Sequence, residues 1–440
     1  MADYTFNIEF ITPLFMSGAD QNAPELRAPS IKGAMRFWFR AMMGKVLNDD
    51  VEKVKYLESK LFGFAKEEKT DIGVTDDEVK SKASDISIEL SIIKINTNQN
   101  KLNAAFTKNN RGVTYLSFPF LQWNNVRKDY DIVRHFIDIK SSYALKLTRV
   151  LGKDDNALEV AVSCMWLLAN FGNVGSRSRR GFGSLRITGI KENYPLVDFN
   201  VPAHFSDLSK YYKDNLRKTA DIFAQYAKFN KFSVPAKPNK NDQAGNYYPN
   251  FDSFSCWRGC LICKNKDVGW DSWDEALDYI GHQLRRKRED QRSTGQITKT
   301  TDYVNYVSKY INNSRLDDID LENDIFGLPN QIRSSSRKAT AIVSWSTKGS
   351  ANRDEDGDGD LRRASPLLIK PILCGEKYYI LLQYFKSLFL PGEGAEIIKP
   401  LKKTWPSNMP MPQQRLVKKA DYDKLEKFVD NLNGLNIDPF

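Results

Sequence analysis

The chain has 440 residues, of which 65 are Lys or Arg and 55 are Asp or Glu, giving a formal net charge of +10 and an isoelectric point near 9.1. This excess favours a polyanionic partner such as a nucleic acid. The N terminus lacks the basic and apolar regions of a secretory signal, and no run of about 18 apolar residues is present, so we expect neither a secreted nor a membrane-spanning protein. Five scattered cysteines fit a reducing compartment, and we expect the protein in the cytoplasm.

The first half of the sequence predicts six elements in the order β-α-β-β-α-β. Strands are predicted from polar–apolar alternation or β-branched and aromatic residues, and helices from apolar residues at a spacing of three and four. The N-terminal helix is expected to be capped by Ser30. The six elements are strand 4–12, helix 30–44, strand 84–95, strand 111–123, helix 156–172 and strand 184–190. This order is typical of a ferredoxin-like unit, in which both helices cover one face of an antiparallel sheet.

A change in character near residue 195 predicts a domain boundary there. We therefore expect an N-terminal domain over 1–195 and a C-terminal α+β domain over 196–440, with residues 191–250 beginning as a linker. The stretch 352–361 contains alternating Asp and Gly and is predicted to be a solvent-exposed loop. The elements predicted in the second half are helices at 271–290 and near 303–311 and strands at 339–347, 365–374 and 377–385.

The segment GNVGSRSRRGFGSL, residues 172–185, combines four glycines with three arginines and contains no acid. Glycine permits positive φ and lets backbone N–H groups approach an anion, while arginine offers two parallel donors to phosphate. The spacing fits neither a P-loop nor a dinucleotide-binding fingerprint, because the segment follows a helix instead of opening one. It therefore indicates a site for a polyanion, with a solvated turn as the alternative. The residues concerned are Gly172, Gly175, Arg177, Arg179, Arg180, Gly181 and Gly183.

The N-terminal helix carries a basic stripe opposite its apolar face. Lys32, Arg36 and Arg40 follow one another at intervals of four residues, and Arg27 and Lys45 extend the charge at either end. A stripe of this kind is often only a solvated helix face, but beside the glycine-arginine segment it indicates a second contact with RNA.

Three other patterns are weaker. Cys256, Cys260 and Cys263 lack a fourth zinc ligand nearby, the nearest histidine being His282. The segment 354–365 begins like a calcium-binding loop but ends on Ser where a bidentate Glu is needed. No histidine stands at a recognised catalytic spacing from a nucleophile or carboxylate, so we expect neither a cofactor nor a catalytic site.

Four stretches together resemble the family of first RAMP subunits of the type III-B (Cmr) CRISPR effector complex. A glycine-rich loop between the last helix and the last strand of a ferredoxin-like unit is the hallmark of the RAMP superfamily. The resemblance is strong over 1–190, patchy over 191–340 and returns at 361–372. The stretches are PLFMSGADQNAPELRAPSIKGAMRFWFRA (13–41), LFGFA (61–65), NFGNVGSRSRRGFGSL (170–185) and RRASPLLIKP (362–371).

This resemblance implies two ferredoxin-like RAMP domains in a non-catalytic subunit that holds the 3′ part of the guide RNA and helps to capture target RNA. The partners it implies are guide RNA, target RNA and other RAMP subunits. It also implies that the basic residues of the stripe and loop meet phosphate, and that Arg362 and Arg363 form a corresponding patch in the second domain. The residues themselves leave two alternatives open. One is a metal-independent RAMP endoribonuclease that processes guide-RNA precursors, and the other is a purely architectural subunit.

Overall fold

A computed structural model describes most of the chain. The described residues are 3–65, 81–98, 104–150, 155–192, 194–235, 251–288, 292–293, 296–297, 324–327, 330–334, 339–347, 364–389, 394–400, 404–411, 415–417, 422–438 and 440. The helices are α1 (Ala28–Val46), α2 (Val51–Phe62), α3 (Arg111–Ser117), α4 (Asp155–Phe171), α5 (Phe205–Phe229), α6 (Trp273–Arg288) and α7 (Asp423–Asp430). The strands are β1 (Asp3–Phe10), β2 (Phe64–Ala65), β3 (Ser81–Lys82), β4 (Ile86–Lys94), β5 (Thr97–Asn98), β6 (Leu121–Asn124), β7 (Asp129–Ile132), β8 (Phe136–Ile137), β9 (Ser142–Arg149), β10 (Leu185–Ile190), β11 (Trp257–Ile262), β12 (Arg292–Ser293), β13 (Gln296–Ile297), β14 (Asn330–Ser334), β15 (Ala339–Thr347), β16 (Leu368–Cys374), β17 (Lys377–Phe385), β18 (Gly394–Pro400), β19 (Arg415–Val417) and β20 (Leu435–Ile437).

The first sheet has the strand order β10-β1-β9-β4, and every described pairing in it is antiparallel. Alternate residues of β1, namely Phe6, Ile8 and Phe10, are fully buried, as expected for a strand with one face on the core. Helices α1 and α4 pack together and share this core. The order β1-α1-β4-β9-α4-β10 is the predicted ferredoxin-like arrangement.

The second sheet repeats the same topology with other residues. Its strand order is β16-β17-β11-β20, and along the chain its elements follow as β11, α6, β16, β17, α7 and β20. Both sheets therefore place their first and third strands in the centre, which confirms the prediction of two ferredoxin-like units in an α+β chain. A third four-stranded sheet, β14-β15-β18-β19, is formed by segments that lie before β16 and after β17 in the sequence.

The prediction of a strand at 111–123 is wrong. Residues 111–117 form α3, a 3₁₀ turn follows at Phe118–Phe120, and only β6 is extended. The third strand of the first sheet is instead β9, whose Tyr143, Leu145 and Leu147 alternate as buried residues. Helix α3 forms despite its β-branched residues because the Asp278 carboxylate accepts hydrogen bonds from the N–H groups of Gly112 and Val113 at its first turn.

The predicted cap of α1 is also wrong. Arg27, with extended backbone angles, precedes the helix, and Pro29 and Ser30 lie in its first turn. No side chain at the N-cap accepts a hydrogen bond there. Proline at an early helical position supplies the required φ instead, which explains how the helix starts without a polar cap.

Within residues 191–250, which were predicted to begin as a linker, the structure has the longest described helix, α5, of 25 residues. Its apolar residues recur at helical spacing, and it packs against α1 and α4. The domain boundary near residue 195 stays a prediction. The predicted helix near 303–311 and the predicted loop at 352–361 lie outside the described residues. In the described part of the chain no helix combines the length and apolar character needed to cross a bilayer.

Candidate nucleic-acid interface

The glycine-arginine segment, residues 172–185, is a tight loop between α4 and β10. Gly175, Gly181 and Gly183 have φ of +82°, +89° and +71°, a region that other residues rarely adopt. A Cβ on Gly183 would lie 1.9 Å from the carbonyl oxygen of Val174, so no side chain fits there. The glycines are therefore required by the fold of the loop itself.

Backbone N–H groups of this loop donate within the protein. The N–H of Val174 donates to the carbonyl of Gly183 at 3.0 Å, and the N–H of Gly183 donates to Pro13 at 2.8 Å. The N–H of Ser176 donates to Phe15, and that of Arg180 donates to Arg177, both at 2.8 Å. The expectation that backbone N–H groups of this loop approach an anion is therefore wrong at these four positions, because each N–H already has a carbonyl acceptor.

The loop docks onto the second sheet. Arg180 forms a parallel bridge with Ile369 of β16, whose N–H donates to the carbonyl of Arg179 at 3.1 Å. The amide of Asn173 donates to the carbonyl of Ile369 at 2.8 Å, and Gly181 leaves just enough room for Leu277 of α6. The sequence signature of the loop thus marks a seam between the two ferredoxin-like units.

Two of the three arginines make contacts across this seam. The Arg179 guanidinium donates to the carbonyl of Ser365 at 2.9 Å and lies 3.6 Å from the buried carboxylate of Asp252. It also lies over the ring of Phe37 of α1, 5.9 Å from the ring centre. The Arg180 guanidinium donates to the carbonyl of Phe326 at 3.2 Å.

Arg177 adopts a φ of +63° and is half-buried. Whether the loop arginines and glycines contact RNA stays a prediction. Arg362 and Arg363 lie outside the described residues.

The basic stripe of α1 has a structural partner. Nε of Arg36 and a terminal nitrogen of Arg40 donate to the same oxygen of Glu58, at 2.6 Å and 2.7 Å. Glu58 lies on α2, and its side chain is only 7% exposed, so the two cations compensate a buried carboxylate. The Arg36 and Arg40 side chains nevertheless remain 34% and 41% exposed.

The other members of the stripe differ in setting. Lys32 is half-buried, and burial together with the charge of Arg36 lowers the pKa of its amine. Lys45 lies 4.9 Å from the ring centre of Phe440, and burial lowers the pKa of Lys45 against the opposing effect of nearby carboxylates. Arg27 is exposed and pairs with Glu25 at 3.3 Å.

The cysteine pattern gains no support from the geometry. Burial raises the pKa of the Cys256 thiol to about 12 and that of Cys260 to about 11, which disfavours the thiolates that zinc binds. No group of three or more His, Cys, Asp or Glu side chains within the described ranges is arranged to hold a metal ion. The acidic part of the calcium-like segment lies outside those ranges.

A further group of basic and aromatic residues, which was not predicted from the sequence, lies in and around the segment 111–123. Arg111, Tyr115 and Phe118 lie around one open cavity of about 640 Å³ together with Lys108 and Arg285. The spacing of four and three residues between Arg111, Tyr115 and Phe118 is helical and was the available sequence signal.

Comparison with known proteins gives a consistent result. The sequence profile of the RAMP superfamily matches residues 7–186. The CRISPR system Cmr subunit Cmr1-2 of Pyrococcus furiosus is 30% identical over 196 residues, covering 44% of this chain and 98% of that protein. Subunit Cmr1-1 of the same organism is 24% identical over 388 residues, which is 88% of each chain.

The fold is similar to a solved structure as well. The crystal structure of Cmr1 from Pyrococcus furiosus in its apo form superposes with a TM-score of 0.55 at 19% identity, covering 99% of both chains. This likeness supports the two ferredoxin-like units described above. The chain therefore belongs to the RAMP superfamily and, within it, to the Cmr1-type subunits of type III-B (Cmr) CRISPR systems.

Proposed function

We propose that this chain is a non-catalytic RNA-binding subunit of a type III-B CRISPR effector, which contacts the 3′ part of the guide RNA and helps to capture target RNA in the cytoplasm. The observation that carries the proposal is the position of the α1 stripe. Arg179 of the loop lies over the ring of Phe37 of α1, so the loop contacts the helix that carries the basic stripe.

The charges of this surface suit a polyanion. Burial and, to a lesser extent, the positive charge of Arg36 lower the pKa of Lys32, and the Arg36 and Arg40 side chains share a single carboxylate. Two guanidinium groups paired with one carboxylate leave a net positive charge. The Arg36 and Arg40 side chains are 34% and 41% exposed, so solvent and ligands can reach this charge. A phosphate group placed here would offset the repulsion and gain charge-assisted hydrogen bonds.

Lys32→Gln is the variant that tests the α1 stripe, because it removes charge without touching the pair with Glu58. We expect weaker binding of a fluorescein-labelled single-stranded RNA that carries the 3′ guide sequence. The slope of log affinity against log salt concentration should fall by about 0.7 for one lost phosphate contact. Lys210→Gln, an exposed lysine on α5, is the matched control and should leave the slope unchanged.

The complete effector provides the second test. The subunits are assembled on a guide RNA that contains 4-thiouridine near its 3′ end, irradiated, and digested for mass spectrometry. RNA adducts on peptides of α1 or of residues 172–185 would support the proposal. Adducts confined to other subunits would contradict it and favour a purely architectural role.

The non-catalytic part of the proposal is tested separately. The chain is incubated with a repeat-containing precursor RNA in the presence of EDTA, and the products are resolved on a sequencing gel. We expect intact RNA. Cuts at a defined position, reproduced by independently purified protein, would replace the proposal with the endoribonuclease alternative.

A further inference from the structure

We propose that a groove between α3 and α6 binds single-stranded RNA by stacking an unpaired base on Phe118 while Lys108 and Arg111 contact its phosphates. The described lining of this groove includes no residue of the α1 stripe or of 172–185. The inference rests on the proposed function, since it names a second RNA-binding surface of the same subunit.

The walls of the groove alternate basic and aromatic side chains. The open cavity has a volume of about 640 Å³, which is large enough for a nucleotide. Among the described residues its lining contains three cations and three aromatic rings and no carboxylate. The lining residues are Lys108, Asn109, Arg111, Thr114, Tyr115, Phe118, Tyr130 and Arg285.

Phe118 is the most unusual of these residues. Its side chain is 64% exposed, although a phenylalanine gains free energy by burial. It stands at the start of a 3₁₀ turn directly after α3, beside the half-buried Tyr115. An exposed ring next to cations is the combination that single-strand binding proteins use, because every base offers a face for stacking.

The aromatic surface continues beyond the cavity. Tyr130 lies in the groove wall on β7 and packs edge to face on Trp123, with ring centres 5.1 Å apart. Trp123 is itself 43% exposed. A strand of RNA leaving the groove on this side would therefore meet a second exposed ring.

Two carboxylates near the groove accept hydrogen bonds from backbone donors. Asp129 accepts hydrogen bonds from the N–H groups of Lys108 and Tyr130, at 2.7 Å and 2.8 Å. Asp278 accepts from Gly112 at 2.8 Å and so caps α3. Both acids hold the backbone of the groove in place, and the side chains of Lys108 and Arg111 are exposed to solvent.

The groove is built to a fixed width. Gly112 of α3 and Gly281 of α6 touch backbone to backbone, and a Cβ on Gly281 would lie 2.3 Å from the carbonyl oxygen of Gly112. The two walls come from different halves of the chain, yet no side chain separates them at this point. Such a site is preorganised, which reduces the entropy lost on binding.

Two variants test the groove in the full-length chain. The probes are a fluorescein-labelled 12-nucleotide oligouridylate, the same strand annealed to oligoadenylate, and fluorescein-labelled polyglutamate. Phe118→Ala should weaken binding of the single strand about fivefold or more and leave duplex binding within about twofold. Lys108→Gln should lower the salt slope for the single strand by about 0.7.

Each variant has a matched control outside the groove. Phe229→Ala removes another exposed ring, 57% exposed at the end of α5, and Lys210→Gln removes another exposed lysine. Both controls should bind all probes like the wild type. Circular dichroism and the melting temperature should be unchanged in all four variants, because each altered side chain is exposed.

The outcomes separate this inference from the proposed function. Groove variants that match their controls would overturn the groove while leaving RNA binding at α1 intact. Loss of polyglutamate binding equal to that of RNA in Lys108→Gln, with no effect of Phe118→Ala, would favour an acidic protein partner and overturn it too. A wild-type chain that binds no single-stranded probe would overturn both the groove and RNA binding by the isolated subunit.

Discussion

The loop 172–185 and the α3 segment, residues 104–132, show how differently basic residues can be used in one chain. The loop has the composition of a phosphate site, but four of its N–H groups and two of its guanidinium groups donate to carbonyls of the protein. The α3 segment has an ordinary composition, yet it presents exposed lysine, arginine and phenylalanine side chains around one cavity. Composition therefore identifies donors, while only the fold decides whether those donors are already bonded.

The largest expected effect concerns the loop. Gly183→Ala should lower the free energy of unfolding by about 3–5 kcal/mol, because the new Cβ meets a backbone oxygen and φ is positive. Chemical denaturation followed by circular dichroism measures this change. Gly33→Ala is the control, since nothing lies within 4 Å of that position on α1, and it should stabilise by about 0.5–1 kcal/mol. Equal midpoints for the two variants would show that the loop is not a structural seam.

The next largest effect is expected for Arg179→Gln, which should lower the free energy of unfolding by about 1–2 kcal/mol in the same denaturation measurement. The substitution removes the bond to Ser365 and the guanidinium that lies 3.6 Å from the buried carboxylate of Asp252. Lys108→Gln in the groove should stay within about 0.5 kcal/mol of the wild type because its side chain is exposed. A larger loss of stability in Lys108→Gln than in Arg179→Gln would contradict the contrast between the loop and the α3 segment.

Asp278→Ala tests the N-terminal cap of α3 and should lower the free energy of unfolding by about 1 kcal/mol. It removes the acceptor for the N–H groups of Gly112 and Val113. Asp221→Ala, an exposed position inside α5, makes the same chemical change without removing a cap and should be neutral or slightly stabilising. A shared loss of stability in both variants would mean that the cap is unimportant.

The smallest effect concerns pH and lies at the seam under the loop. Lys370 of β16 is buried and donates to the carbonyl of Leu185, and burial holds the pKa of its amine well below the usual value. Between this lowered pKa and 10.5 the unfolded chain binds a proton that the folded chain does not, so stability rises with pH. From pH 8.0 to 8.5 the contribution is at most about 0.7 kcal/mol.

Lys370→Met should flatten this rise relative to the wild type. Urea denaturation of both proteins at the two pH values measures the difference, and other titrating groups cancel because both proteins contain them. An identical rise in the variant would show that Lys370 does not carry the dependence.

The sequence predicted the elements whose periodicity is unbroken. Strand β1, helices α1 and α4 and strand β10 lie within a few residues of their predicted bounds, and β15, β16 and β17 were found as well. Helix α5 was missed although residues such as Leu208, Tyr212 and Leu216 repeat at a spacing of four, because its abundant lysines suggested a linker. Strand β9 alternates clearly, but the β-branched and aromatic residues of 111–123 give an equally strong strand signal earlier in the chain.

The candidate site was less predictable from sequence. The amino acids at Arg36 and Arg40 are easily recognised as basic, but the buried Glu58 that binds them lies on a different helix. Likewise, Arg179 contacts Ser365, 186 positions away. Such long-range partners depend on tertiary structure, which local spacing does not encode. Phe118 joins Arg111 and Tyr115 at the cavity only because residues 111–117 form a helix, which the strand prediction did not anticipate.

The contact between Gly112 and Gly281 restricts how the sequence can change over time. Because the two backbones meet directly, there is no side chain whose replacement could readjust the gap between the helices. A larger residue at either position forces the walls apart by the width of a methyl group, and shrinking a neighbour does not restore the fit. We expect these two positions to remain glycine together in relatives that retain the groove and to be released together in relatives that have lost it.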